Sequence, residues 1–110
     1  MIYEINNGNS TIKEYDDNGK LLFEGECLNG EKNGKVKIYQ YDTLVFEGEY
    51  LNGRRWNGKG KEYYSKNEII FEGEYLNGRR WNGKGKEYDW FAELVFDGEY
   101  LNGEKKQINN

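Results

Sequence analysis

Carboxylates recur in pairs one residue apart, as Glu24 and Glu26, Glu47 and Glu49, Glu72 and Glu74, and Asp97 and Glu99. Two neighbouring carboxyls are what general acid and base chemistry uses. Their regular return argues for a different task, because a side chain present once per repeating unit usually serves that unit, by pairing with lysine or bonding turn N–H groups. Nucleophiles are scarce. The chain has no His, its only Cys, Cys27, stands where other copies carry Tyr50, Tyr75 and Tyr100, and Ser10 and Ser65 have no evident base. One Cys and no His give neither a disulfide framework nor the usual zinc spacings. The expectation is a non-enzyme with no catalytic residue, no metal and no cofactor. The best binding candidates are Arg54, Arg55 and Trp56 and their copy Arg79, Arg80 and Trp81. Trp and Arg are enriched where partners dock and where proteins meet lipid headgroups. Read as loop tips, the two triplets project from one edge, about two strand spacings or roughly 10 Å apart. The competing expectation is that each Trp folds back on the next hairpin while the arginines stay solvated.

The elements that position these residues follow from self-similarity. FEGEYLNGRRWNGKGKEY occurs at 46–63 and again, unchanged, at 71–88. A drifted copy, LFEGECLNGEKNGKVKIY, occupies 22–39, and VFDGEYLNGEKK at 95–106 stops before its second half. Gly25, Gly48, Gly73 and Gly98 mark the four first halves. Where copies differ in length, a loop is indicated, since packed strands resist insertion. One such place lies between LNG and NG, with Trp56 or Trp81 as the extra residue; the other lies between units. Asn-Gly at 52–53 and 77–78 is the pair that hairpin turns with positive φ select. Phe46, Gly48 and Tyr50 alternate with Glu47, Glu49 and Leu51, the period of a strand with two unlike faces. The favoured pairing sets rings against strand glycines. On the opposite face it sets Glu47 and Glu49 against Lys59 and Lys61.

These readings predict an all-β fold, an elongated single-sheet solenoid of antiparallel β-hairpin repeats in one domain over 1–110. Its parts are a degenerate N-terminal hairpin or cap at 1–15 with a turn over 6–9, full repeats at 22–39, 45–63 and 70–88, and a truncated last repeat at 95–106. Nine strands give a sheet of roughly 40 Å. After Asn102-Gly103 the second strand is missing from the pattern, so the strand carrying Tyr100 is read as an open edge that invites pairing. Trp90-Phe91 occurs once, in a linker, and is read as covering the junction to the last hairpin.

Composition bounds the rest. Hydrophobic residues make up 35% of the chain and aromatic ones 16%, so burial must come from rings and not from a rounded aliphatic core. A net charge of -4 opposes general affinity for nucleic acid, and no nucleic-acid partner is expected. The opening residues carry neither a basic stretch nor an apolar run, which sets the expectation at a cytoplasmic chain, soluble or peripheral at a membrane.

An aromatic residue, x-Gly-Glu-aromatic, Asn-Gly, Asn-Gly-x-Gly and a closing Tyr together resemble the MORN repeat (membrane occupation and recognition nexus). Residues 46–60 and 71–85 match its pattern, and 23–34 match with Cys27 in an aromatic place. The family usually has His where this chain has Asn57 and Asn82. The resemblance implies an elongated sheet of hairpins used for self-association, protein scaffolding or lipid contact. Protein partners or self-association, including at the C-terminal edge strand, are therefore expected. Weak binding of anionic lipid through the Arg/Trp tips is the alternative, since four arginines supply about 4 kcal/mol. Sugar or choline held in an aromatic groove is a further one. Either a recent duplication or a designed consensus-like sequence accounts for the identical middle copies.

Overall fold

The computed structural model describes residues 2–6 and 9–107. Within them the chain runs as β1 (Ile2–Asn6), β2 (Asn9–Tyr15), β3 (Leu21–Leu28), β4 (Glu31–Gln40), β5 (Thr43–Leu51), β6 (Arg54–Ser65), β7 (Glu68–Leu76), β8 (Arg79–Tyr88), β9 (Leu94–Leu101) and β10 (Glu104–Gln107). All ten form one antiparallel sheet in chain order, so each strand lies beside its sequence neighbours. The expected all-β hairpin solenoid is the architecture found. The turn expected over 6–9 includes residues 7 and 8, which lie outside the described residues.

The Asn-Gly pairs make this topology. Asn29-Gly30, Asn52-Gly53, Asn77-Gly78 and Asn102-Gly103 all take positive φ, from 50° to 84°. Positive φ at both central residues defines the type I′ turn, whose twist matches that of the flanking strands. The fourth of these turns also closes a hairpin, which corrects the strand count. Its return, β10, pairs Lys105 with Tyr100 and Gln107 with Gly98 although GKGKEY is absent, because ladder bonds use backbone and need no signature. There are thus ten strands where nine were expected, and the long dimension is 52 Å.

Arg54, Arg55 and Trp56 are not a loop. The turn is only Asn52-Gly53, and β6 starts at Arg54. Glu49 pairs with Asn57 and Tyr50 with Arg55, leaving Trp56 unopposed as a bulge; Trp81 repeats this between Asn82 and Arg80. A one-residue length difference signals a bulge as readily as a loop, since both accept an extra residue. The bulge also corrects the charged ladder. Glu47 faces Lys59 as expected, but Glu49 faces Asn57 within its hairpin and Lys35 on the preceding strand, while Lys61 faces Glu72 of the next unit.

On the other face, rings lie over bare backbone. Phe46 pairs with Gly60, and a Cβ built on Gly60 would lie 2.9 Å from Phe46 Cδ1. Phe23, Phe46 and Phe71 are fully buried although only one sheet exists to bury them. Gly48 and Gly73 face Gly58 and Gly83 across the same hairpins, so backbones approach there without side chains between them. A Cβ on Gly73 would run into the Asn82 carbonyl oxygen and lie 2.7 Å from Gly83 Cα. Gly73→Ala is expected to lose about 1–3 kcal/mol through this clash with unyielding backbone. Gly30→Ala, which faces open space at φ 84°, should lose only about 1 kcal/mol through backbone strain. Chemical denaturation of the two variants checks the order, and equal losses would refute the close-approach role of Gly73.

Candidate functional site

Each repeat places a cation over its own phenylalanine. The second residue after each Asn-Gly turn is Lys32, Arg55, Arg80 or Lys105. These lie 4.8 Å from the Phe23 ring, 4.9 Å from Phe46, 4.8 Å from Phe71 and 5.8 Å from Phe96. The sheet alternation sends them to the aromatic face, because Arg55 opposes Tyr50 and Arg80 opposes Tyr75. The tyrosine of the next unit closes the other side: Tyr75 sits edge-on to Phe46 at 5.7 Å and Tyr100 to Phe71 at 5.5 Å. Cation–π contact and edge-to-face packing thereby cover rings that a second layer would otherwise have to bury.

In the middle and last units these groups join one hydrogen-bonded chain. Arg55 Nη1 donates to Tyr75 Oη at 2.7 Å, and Tyr75 Oη donates to Glu62 Oε2 at 2.6 Å. Arg80 grips the same carboxylate with Nε at 3.0 Å and Nη2 at 2.8 Å, and its Nη1 donates to Tyr100 Oη at 2.9 Å. Tyr100 donates to Glu87, whose other oxygen accepts from Lys105 Nζ at 2.7 Å. Burial would raise the Glu62 carboxyl, but hydrogen bonds from Arg80 and Tyr75 and the nearby arginine charges outweigh it and hold Glu62 below the usual carboxylate range. Burial and the Glu62 carboxylate both push the Tyr75 phenol up. Hydrogen bonding to Lys105 lowers Glu87. At the first junction Ile38 stands where Glu62 and Glu87 stand later, so Tyr50 has no carboxylate to meet and packs against an apolar cluster containing Cys27 and Val36. An open groove of about 800 Å³ passes Tyr64, Tyr88 and Tyr100; of its charged members Glu62, Arg80 and Glu87 belong to this chain of bonds, and Arg79, Lys86 and Asp89 do not.

The turn edge carries the rest of the triplets. Trp56 is half-buried against the following turn: a Cβ on Gly78 would lie 3.2 Å from its ring and 2.7 Å from Arg54 Nη2. Trp81 and Arg79 take the same places at Gly103. Backbone secures the arrangement, with Gly78 N–H donating to the Trp56 carbonyl and Gly103 N–H to that of Trp81, both at 2.9 Å. Asn57 and Asn82 accept from Asn77 N–H and Asn102 N–H at 3.0 Å, so each Asn suspends the next turn. No family model, curated protein or solved structure matches the chain.

The triplets are divided by strand alternation. Arg55 and Arg80 are engaged inside the aromatic face, whereas Arg54 and Arg79 are exposed at the turns beside Trp56 and Trp81. A solvated role for all four arginines is thus corrected for Arg55 and Arg80, while the folding back of each Trp is what occurs. A signal for this was present in the sequence. A cation stands at that place in all four copies, whereas Arg54 and Arg79 align with Glu31 and Glu104. The per-unit logic applied to the carboxylates applies equally to these cations.

A lowered folded-state carboxyl contributes stability that is full above the ordinary carboxylate range and is lost as pH falls through the lowered value. Glu62→Gln is expected to cost about 1.5–3 kcal/mol at neutral pH, the range for hydrogen bonds to charged groups. It should then lose less than wild type on acidification to about pH 3, below the ordinary carboxyl value of about 4.3. Thermal unfolding at both pH values checks this, and parallel losses in the two proteins would refute the assignment.

Proposed function

We propose that the chain is a MORN-type repeat module that works as a non-catalytic scaffold, presenting a protein-interaction stripe along its turn edge. The carrying observation is that Arg54, Trp56, Arg79 and Trp81 lie together outside the internal bonded chain, beside the exposed Leu51, Leu76 and Leu101. Arginine and tryptophan flanked by aliphatic side chains are the composition of binding hot spots, and the partner is a protein surface with acidic groups around an apolar centre. The shared residues of every unit support the scaffold part, since they are committed to holding one unit to the next. A cytoplasmic setting suits the reading, because it keeps the lone thiol of Cys27 reduced.

Two observations rank the other contacts below the stripe. With Arg55 and Arg80 engaged, two exposed arginines remain, worth about 2 kcal/mol at an anionic membrane. That corresponds to a dissociation constant of roughly tens of millimolar. Strand addition at β10 would be a route to self-association, but its four residues are all exposed and include Lys105 and Lys106, charges that discourage edge pairing.

Fused to a proximity-labelling enzyme in its cell of origin, the wild-type chain is expected to enrich proteins that Arg54→Glu/Arg79→Glu no longer labels, with an unchanged unfolding midpoint. Identical labelled sets would sink the stripe.

A further inference from the structure

Two loops on the sheet edge opposite the stripe are copies of each other in geometry and opposites in chemistry. In the β2–β3 loop Asp16 Oδ1 accepts from Asn18 N–H at 2.8 Å and Lys20 N–H at 2.9 Å, Gly19 N–H donates to the Asp16 carbonyl, and Asp16 N–H to that of Lys20. In the β8–β9 loop Asp89 Oδ1 accepts from Phe91 N–H at 2.8 Å and Glu93 N–H at 3.0 Å, Ala92 N–H donates to the Asp89 carbonyl, and Asp89 N–H to that of Glu93. Ala92 even takes the left-handed backbone, φ 61°, that the first loop gives to Gly19. The tip residues are Asp17 and Asn18 in one loop and Trp90 and Phe91 in the other. The loop therefore forms without aromatic tips. Trp90 is nevertheless 100% exposed and Phe91 84%, with Leu94 and Val95 at least half exposed beside them. They do not cover the junction to the last hairpin, as their place in the linker suggested. An indole in full contact with water contributes nothing to its own fold and is an anchor awaiting a site.

The same edge also carries a cavity. Connections β2–β3, β4–β5, β6–β7 and β8–β9 all lie along this edge. Between the first three opens a cavity of about 280 Å³ lined by Leu22, Tyr39, Tyr41 and Lys66, among others. Lys20 and Asp42, also in its wall, are paired at 2.7 Å, and Asp16 is bonded within its own loop. Lys66 remains as the cation that complements Glu93 beside the aromatic tip. Tip and cavity are four to five strand spacings apart, roughly 20 Å, too far for one chain to join its own pair. A two-fold axis perpendicular to the edge, midway between tip and cavity, seats the tip of each copy in the cavity of the other, which is the self-complementary form of the commonest oligomers.

We infer that Trp90 and Phe91 dock into the Leu22/Tyr41 cavity of a second copy of this chain, forming a two-fold dimer through the inter-repeat loop edge. The dimer rests on the interaction-module reading and names a partner for it, on the edge opposite the stripe. Sedimentation equilibrium of the full chain from micromolar to millimolar concentration tests it. Trp90→Asp/Phe91→Asn, which gives the second loop the tips of the first, should keep the unfolding midpoint and weaken dimerisation about thirtyfold or more, the effect of losing a hot-spot aromatic. Glu93→Lys and Lys66→Glu should each weaken it, and the double exchange should restore it. A wild-type monomer throughout, or a dimer indifferent to these changes, overturns the inference. So does a monomer that binds phosphatidylcholine vesicles through Trp90, which would make a bilayer the occupant. If Arg54→Glu/Arg79→Glu abolishes the dimer and the loop variants do not, this edge is wrong while the stripe stands.

Discussion

A phenylalanine resting on glycine backbone, under a cation from its own hairpin and a tyrosine from the next, is the arrangement on which the sheet depends. A single layer has no partner layer to bury its apolar face. Here glycine removes the side chains beneath the ring, and Arg55 or Arg80 with Tyr75 or Tyr100 supplies the cover above it. Because the tyrosine comes from the following unit, the burial of Phe46 and of Phe71 is also a bond between units. The sheet is therefore held in nearest-neighbour steps, as repeat architectures are.

The polar part of that cover explains why the junctions are not equivalent. At the second and third, a carboxylate collects a tyrosine and a cation, so the half-buried charge is neutralised and fully bonded. At the first, Ile38, Val36 and Cys27 replace these partners with apolar contact. Removing one member of a bonded charge pair leaves the other desolvated and alone, so these junctions are more sensitive to single substitutions than an apolar one of similar size. Exposed pairs such as Lys37–Glu47 and Lys61–Glu72, at 3.8 and 3.9 Å, help register and add little strength.

With the aromatic face and the per-unit cations committed internally, what distinguishes one unit from another lies at the two edges. The turn edge carries Arg54, Trp56, Arg79 and Trp81 only in the middle units. The opposite edge carries Trp90 and Phe91 in one loop only. Variation is concentrated where backbone bonding is complete without the side chain, as the matched loops at 16–20 and 89–93 demonstrate. Those are the positions a partner can read without disturbing the sheet.

Periodicity and turn chemistry were enough, in the sequence, to determine the strands as far as β9, the first three Asn-Gly hairpins and the placing of rings over glycine, because each is a local property repeated from copy to copy; β10, which lacks the repeated signature, was not legible. The repeat of Lys32, Arg55, Arg80 and Lys105 was equally legible as a per-unit role, though the run Arg-Arg-Trp reads as one exposed motif until alternation divides it. Tertiary structure alone decided three things. Whether the extra residue at Trp56 makes a loop or a bulge depends on where pairing resumes across the strand. Which partner Glu49 or Lys61 faces depends on that bulge. Finally, whether Arg80 meets solvent or Glu62 depends on the offset between units, since the two lie 18 residues apart and meet only when the strands are laid side by side.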